Sequence, residues 1–274
     1  MDERAIGQEL ERDLLRAAAT GKVLYLEGPT DLVMLVGLLG GDPPNIIPEE
    51  GLPLDGVWVR GLSGSKAVEQ RIHVADKVAF RGVRGIVDGD GRGYEALAAS
   101  FDPPFTGPLY KWKAYCLENL LAQCGWPTDW GPTPDWRNVL GAYAPYAALN
   151  QVVTAAQERW LSLGVARFGR PILHQPRRSA DEIRNHLRLD GSKLRDLGEF
   201  VAIFDAELNR CGTALATSLE HAHALVNGKW LVEVHAAEAT HSSPEHCRRA
   251  WARHVGRTGG HPEVIAWWRR FLAA

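Results

Sequence analysis

The sequence predicts an α/β fold, in which a parallel sheet flanked by helices is followed by a mostly helical C-terminal region. Three apolar runs, at residues 22–26, 56–60 and 82–87, indicate buried strands that each end in a turn. Helical spacers separate the runs, and this alternating order is typical of parallel strands joined by right-handed crossovers. Beyond residue 126, every predicted element is a helix.

The N-terminal elements follow from local signals in chain order. Residues 3–19 have an amphipathic pattern that predicts a helix before the first strand. Pro29 suits the first turn of a second helix, which the Gly and Pro residues at 40–44 would end. After the second strand, a turn at 61–65 leads into a helix predicted over 66–80, and the third strand follows.

The remainder of the chain is predicted to be helical around one linker. Residues 125–136 contain three prolines and three tryptophans, which indicates a breaker-rich connection. We interpret these tryptophans as packing residues rather than as platforms for bases. Helices are predicted at 94–100, at the end of 109–122, and over 137–163, 180–188, 192–210, 214–226, 244–254 and 262–272.

Composition indicates a globular protein with an uneven charge distribution. The 274 residues are 45% apolar and 23% charged, and a net charge of −2 does not by itself indicate a general affinity for nucleic acid. Residues 1–150 carry 14 basic and 20 acidic residues, whereas 151–274 carry 17 and 13 with nine of the ten histidines. An acidic half beside a basic half suits a polyanionic substrate that one half holds and the other half cuts. The alternative is that the charge imbalance arose by chance.

Cysteine spacing and hydropathy favour a cytoplasmic protein. The four cysteines include no C-x-x-C pair, so neither a disulfide framework nor a zinc ribbon is indicated. The longest apolar run, 32–39, is too short to span a bilayer, and the polar N-terminus is unlike a secretory signal. The histidines, such as His221 and His223, lack zinc-site spacing and are interpreted as surface or core residues.

Two acidic clusters at the ends of predicted strands carry the functional prediction. Glu27 and Asp31 follow the first strand, and Asp88 and Asp90 follow the third. In an open parallel sheet, ligands bind beyond the carboxyl ends of the strands, where these four side chains would meet. Carboxylates suit Mg²⁺ or Mn²⁺, and such ions activate water and neutralise charge when a phosphodiester is cleaved. The sequence therefore predicts a Mg²⁺ or Mn²⁺ site for phosphate chemistry.

The order of these motifs resembles the Toprim domain, in which a strand leads into an E-G-x-x-D motif and a later strand ends in D-x-D. Glu27-Gly28-Pro29-Thr30-Asp31 and Asp88-Gly89-Asp90 match the two motifs. The segment 112–121, W-K-A-Y-C-L-E-N-L-L, is similar to the I-E-N-Y-L signature of one Toprim branch. That branch includes proteins encoded beside ABC-type ATPases in bacterial anti-phage systems, such as the PARIS effector, and is related to the overcoming-lysogenization-defect (OLD) nucleases.

The resemblance covers residues 20–122. Together with the helical pattern on either side, it predicts an N-terminal helix (1–20), a Toprim-like catalytic domain (21–125) and a mostly helical C-terminal domain (126–274). It implies a divalent-metal-dependent nuclease that cleaves DNA or RNA as the toxic effector of an anti-phage system. Residues 61–66 do not have the spacing of an ATP-binding loop, so nucleotide control would come from a partner ABC-type ATPase. The basic C-terminal helices could form the surface of a homodimer.

The resemblance also implies roles for single residues. Glu27 would be the catalytic base or a metal ligand, and Lys66 or Lys113 would offset charge in the transition state. Gly91 and Arg92 follow D-x-D where many Toprim domains have a further acid or small residue, so Arg92 could bind the scissile phosphate instead. The implied metal ligands are Glu27, Asp31, Asp88, Asp90 and Glu118.

Three alternatives remain open from the sequence. Each acid could be a solvated residue at a strand end, and Asp31 could simply favour the N-terminus of a helix. A degenerate Toprim module would bind an ATPase or nucleic acid without cutting it. A haloacid-dehalogenase-type phosphatase would use the segment 88–91 as its first motif, although that family places this motif on its first core strand.

Overall fold

A computed structural model describes residues 2–17, 20–46, 48–102, 107–160, 179–191 and 197–273. It contains a five-stranded mixed sheet flanked by helices, followed by a helical C-terminal region. The α/β class predicted from the sequence is confirmed. The strands, in the spatial order β2-β3-β1-β4-β5, are β1 (Val23–Leu26), β2 (Leu52–Leu54), β3 (Val57–Gly61), β4 (Val83–Val87) and β5 (Leu109–Lys111).

The prediction of an all-parallel sheet was wrong at one edge. β1, β3, β4 and β5 are parallel, but β2 pairs antiparallel with β3. Asp55 and Gly56 join β2 to β3 with φ angles of 47° and 83°, which suits a tight hairpin of the type I′ class. Pro53 is tolerated because β2 is an edge strand. The Asp-Gly pair was the hairpin signal in the sequence.

The helices agree with the predicted pattern apart from their ends and three differences. A short helix at 237–240 was not predicted, and one helix runs through residues 211–213, where a gap between two helices was predicted. Ser218 interrupts the helix predicted over 214–226, because its side chain caps a new helix by accepting a bond from the His221 amide. Residues 161–163 and 192–196 of two predicted helices lie outside the described residues. The α-helices are α1 (Glu3–Arg16), α2 (Pro29–Leu38), α3 (Ser65–Lys77), α4 (Tyr94–Phe101), α5 (Leu117–Cys124), α6 (Trp136–Trp160), α7 (Ala180–Gly191), α8 (Leu197–Thr217), α9 (Leu219–Leu225), α10 (Ala237–Thr240), α11 (Pro244–Arg257) and α12 (Pro262–Ala273).

The described part of the chain also contains helical segments of other types. A 3₁₀ turn spans Thr128–Trp130, and a π-helical segment spans Leu231–Ala236. Neither was predicted. No helix in the described part of the chain combines the length and the apolar character needed to cross a bilayer.

The central strand β1 separates two cores. Leu24 and Leu26 lie in the core that contains α2, whereas Val23 and Tyr25 lie in the core shared by α1 and α3. The chain passes from β1 outward to β3 and then returns across β1 to β4. The order of strands therefore reverses between β1 and β4, and the crevice at their carboxyl ends is where ligands of such sheets bind.

The C-terminal helices share the larger core with the sheet. In α2, a Cβ on Gly37 would lie 2.3 Å from the carbonyl oxygen of Ala252 in α11, so these helices cross at backbone contact. Trp251 of α11 packs edge-on against Trp126 at 5.1 Å and stacks on Trp136 at 6.1 Å between ring centroids. The tryptophans at 126 and 136 are thus packing residues, as predicted. The domain boundary at residues 125 and 126 stays a prediction.

Candidate functional site

The ends of β1 and β4 are joined by a hydrogen bond between the two acidic motifs. Glu27 follows β1 directly, and its Oε1 accepts from the main-chain amide of Asp88 at 2.9 Å. Asp31 lies at the third position of α2, where its Oδ2 accepts from the Gly28 amide at 2.8 Å and so caps the helix. Both carboxylates are therefore positioned by main-chain amides at the crevice between β1 and β4.

The second motif is held in place by the segment that precedes α5. Asp88 is only 4% exposed, whereas Asp90 is exposed and has a φ of 51°. The Gly89 amide donates to the Tyr115 carbonyl at 2.8 Å, and a Cβ on Gly89 would lie 2.4 Å from the Ala114 carbonyl oxygen. Only glycine permits this close approach, which fixes Asp88 and Asp90 on either side of it.

Glu118 joins the same region from the first turn of α5. Its side chain is 2% exposed, and Oε1 accepts from Arg248 Nε of α11 at 2.7 Å. The location agrees with the prediction that the segment 112–121 contributes an acid to the site. The ion pair shows that this acid is already neutralised by the C-terminal region.

The pKa values show that the five acids share one electrostatic environment. Burial raises the pKa of Asp31 to about 7, with a further contribution from the Glu118 charge. Burial also raises the pKa of Asp88, and the charges of Asp31 and Glu27 add to the effect, while Lys229 opposes it. The pKa of Glu27 is raised by burial and by the Asp90 charge, although its bond from the Asp88 amide lowers it. The five predicted ligands are thus close enough to influence one another electrostatically.

Lys229 is the functional residue that sequence reasoning missed. It enters the site from the segment before the π-helical turn, and its Nζ lies 3.0 Å from Asp88 Oδ2. Burial lowers the pKa of Lys229, but the charges of Asp88, Cys116 and Glu118 raise it above the ordinary lysine value. No local motif surrounds Lys229 in the sequence, and its partner is 141 residues away.

Asn119 positions the segment that carries Lys229. Its Oδ1 accepts from the Gly228 amide at 3.0 Å, and its Nδ2 donates to the Val226 carbonyl at 3.0 Å. Its Nδ2 also lies 3.1 Å from Nδ1 of the buried His223. A Cβ on Gly228 would lie 2.4 Å from Asn119 Oδ1, so the contact requires glycine. Asn119 therefore ties the 223–228 segment to α5, next to Glu118.

Lys113 and Lys66, the two lysines predicted to offset charge, do not pair with the acids of the site. Lys113 Nζ is paired with Asp102 at 3.3 Å and Glu263 at 3.5 Å. Lys66 is exposed on α3, where it lines a cavity of about 550 Å³ beside Pro29. Neither is drawn into the acidic region by an ion pair among the described residues, and their catalytic roles stay predictions.

Arg92 and Lys111 lie at the rim of the acidic region. The Arg92 charge lowers the pKa of Asp90, whose rise is dominated by burial. Burial and the nearby Arg92 lower the pKa of Lys111, which the charges of Asp90 and Glu69 oppose. Lys111 therefore interacts with the acids, although the sequence prediction of a charge-offsetting lysine named Lys66 or Lys113.

The donor chemistry fits a hard divalent cation, but the ligands are not preassembled. Within the described ranges, no group of three or more His, Cys, Asp or Glu side chains is arranged to hold a metal ion. Instead, Lys229 and Arg248 neutralise two of the five carboxylates. Glu27, Asp31 and Asp90 leave an excess of negative charge, which raises the pKa of neighbouring acids and favours a cation. The set fits a Mg²⁺-type ion provided that Asp88 exchanges Lys229 for the metal.

Comparisons with known proteins add no evidence about the metal site. No protein-family model, curated protein or solved structure matches the sequence or the fold.

Proposed function

We propose that this chain is a divalent-metal-dependent nuclease with a Toprim-like site. The observation that carries the proposal is the hydrogen bond from the Asp88 amide to Glu27 Oε1, since it brings the two acidic motifs together at the crevice between β1 and β4. Asp31, Asp90 and Glu118 share that region electrostatically. Carboxylates gathered at the switch point of an open sheet suit phosphodiester hydrolysis with Mg²⁺ or Mn²⁺.

In this proposal Glu27, Asp31, Asp88 and Asp90 hold the metal. When bound, the ion supplies an activated water and neutralises charge on the phosphoryl group. Glu27, which the Asp88 amide holds at the crevice, would accept a proton from that water. Arg92 and Lys111 at the rim would bind phosphate oxygens. The Lys229 ammonium lies 3.0 Å from Asp88 and opposes the rise that burial causes in the pKa of Asp88.

The resemblance to the PARIS effector branch leads us to include a biological setting in the proposal. The nuclease would act as the toxic effector of an anti-phage system, and an ABC-type ATPase would supply its nucleotide control. Co-expression with such an ATPase should suppress toxicity that depends on Glu27, and toxicity unaffected by Glu27→Gln would contradict this part of the proposal.

The cleavage test uses single- and double-stranded DNA and RNA with Mg²⁺ or Mn²⁺. We expect Glu27→Gln and Asp88→Asn each to lower the cleavage rate by at least about 100-fold, because each removes a carboxylate needed for metal or proton transfer. The matched controls are Glu11→Gln and Asp76→Asn, which change exposed acids on α1 and α3. Cleavage that persists in both site variants would refute the proposal.

A second candidate, a binding module that does not cut, is favoured by the ion pairs of Lys229 and Arg248. If these cations permanently replace the metal, calorimetry should detect no Mn²⁺ binding to the native protein, and Lys229→Met should create it. If the site is catalytic, the native protein should bind Mn²⁺ and Asp31→Asn should weaken the binding. Hydrolysis of p-nitrophenyl phosphate would instead indicate a phosphatase.

A further inference from the structure

Helix α11 presents cations on two of its faces. Arg248 points inward and binds Glu118 in the acidic site. Arg249, Arg253 and Arg257 are spaced four residues apart and therefore form a stripe on another face of the same helix. The inward cation is accounted for by the proposed active site, but the outer stripe is not.

The outer stripe lines a cleft with a volume of about 430 Å³. We name it the α11 cleft, and its wall includes His246, His254 and Trp130 in addition to the three arginines. Asp129 is the acidic residue in this wall, so the lining has a formal charge of +2 with neutral histidines. The cleft thus attracts anions although the whole chain has a net charge of −2.

The present partners of the arginines are all exposed to solvent. Arg249 binds Glu245 at 2.6 Å and the Asn45 carbonyl, and Arg253 binds the Asn45 side chain and lies 3.9 Å from Asp42. Asn45 is exposed, and the two acids are 59% and 83% exposed. Solvent-exposed ion pairs contribute little, whereas a guanidinium binds a phosphate through strong paired hydrogen bonds. Arg257 forms no ion pair or side-chain hydrogen bond within the part of the chain described by the structure.

Trp130 gives the cleft an aromatic wall. Its ring packs edge-on against Trp126 at 5.1 Å and against Trp251 at 5.9 Å, which holds it rigidly beside the arginine stripe. A cationic groove with an aromatic ring is the combination that binds single-stranded nucleic acid, since arginines contact phosphates and the ring stacks on a base.

The α11 cleft is mechanically connected to the acidic site. Gly37 of α2 and Ala252 of α11 are in backbone contact, and a Cβ on Gly256 would lie 2.1 Å from the Gly41 carbonyl oxygen. Because α2 also carries Asp31, the cleft and the site are held at a fixed separation. We infer that the α11 cleft binds the sugar–phosphate backbone of single-stranded nucleic acid and holds the substrate of the proposed nuclease. The inference rests on that proposed function for the identity of the substrate.

Binding can be measured without cleavage. A fluorescein-labelled single-stranded oligonucleotide of about 20 nucleotides, longer than common site sizes, is titrated with the full chain in EDTA, and anisotropy is followed. We expect the triple variant Arg249→Gln/Arg253→Gln/Arg257→Gln to bind at least about tenfold more weakly, with a salt-dependence slope reduced by about 2. The matched control Arg4→Gln/Arg12→Gln/Arg81→Gln removes three exposed arginines elsewhere and should bind like the native protein.

The outcomes separate this inference from the proposed function. Equal binding by the native protein and the cleft variant, or an equal loss in the control variant, would overturn the inference. So would a native protein that fails to bind at low salt. Native binding that depends on the cleft without any metal-dependent cleavage would retain the inference and refute the nuclease. If the triple variant melts early, Arg257→Gln alone should still weaken binding.

Discussion

Asn119 shows how a single amide can organise a site from distant parts of a chain. It follows Glu118, and it bonds to the segment 223–228 more than a hundred residues later in the sequence. A neutral side chain with two donors and an acceptor can satisfy several buried main-chain groups at once. Asn119 therefore positions Lys229 against Asp88, although it carries no charge itself.

The buried His223 beside Asn119 makes stability depend on pH. Burial lowers the pKa of His223 to about 4, below the ordinary value of 6.5. Between these values the unfolded chain binds a proton that the folded chain does not, so stability should fall as pH drops from 6.5 and level off below about 4. At pH 5 this corresponds to a loss of about 2 kcal/mol.

Urea denaturation of the native protein and of His223→Gln at pH 7 and pH 5 tests this prediction. Glutamine cannot titrate, so the variant should lose less stability than the native protein over the same interval. An exposed histidine, His73, supplies the matched control as His73→Gln. Equal pH dependence in the native protein and His223→Gln would show that His223 is not the responsible group.

At the scale of elements, the crossing of α2 and α11 holds the site together. α2 carries Asp31, and α11 carries Arg248 toward Glu118 and the arginines of the α11 cleft. The two helices touch through Gly37 and Ala252, and through Gly41 and Gly256. Such contact is possible only where no Cβ intervenes, so small residues decide the distance between the helices.

Gly37→Val should lower the free energy of unfolding by about 2 kcal/mol or more, because its Cβ would lie 2.3 Å from a main-chain oxygen that cannot rotate away. Urea denaturation measures the change. Gly212→Ala in the exposed face of α8 is the matched control, since a Cβ added there would meet nothing within 4 Å, and it should raise stability by up to about 1 kcal/mol. A Gly37→Val protein as stable as the native chain would contradict this account of the crossing.

The strand-to-helix turns were predictable at this scale, whereas the hairpin was overlooked. β1, β3 and β4 are short apolar runs, and each is followed by a glycine or an acidic residue. Their identity as strands and their order along the chain therefore follow from local sequence pattern. β2 has only three residues and includes Pro53, which weakens its strand signal. Its antiparallel pairing depends on the Asp55-Gly56 turn, in which both residues have positive φ.

At the scale of the whole molecule, the two halves of the chain neutralise each other. The acidic half supplies the five carboxylates, and the basic half supplies Lys229 and Arg248 to two of them. The larger buried core contains residues from both halves, among them Leu26 of β1 and Trp251 of α11. The C-terminal region is therefore part of the site as well as of the core.

A chain truncated after residue 125 should not fold cooperatively. It would expose the face of α2 that α11 covers, and it would leave Glu118 buried without Arg248. Exposed apolar surface and an unpaired buried charge both favour aggregation or unfolding. Calorimetry and size-exclusion chromatography of this fragment against the full chain test the expectation. A monomeric fragment with a sharp melting transition would support an independent domain at 21–125 instead.

The sequence by itself determined the α/β class, the parallel strands and the placement of Glu27, Asp31, Asp88 and Asp90 at strand ends, because apolar runs and their turns are local patterns. Only the tertiary structure decided which cations meet these acids. Lys229 lies 141 residues from Asp88, and Arg248 lies 130 residues from Glu118. Pairings at such separations depend on the packing of α5 and α11 against the sheet. This packing produces no local sequence pattern around Lys229 or Arg248 from which the pairing could be predicted.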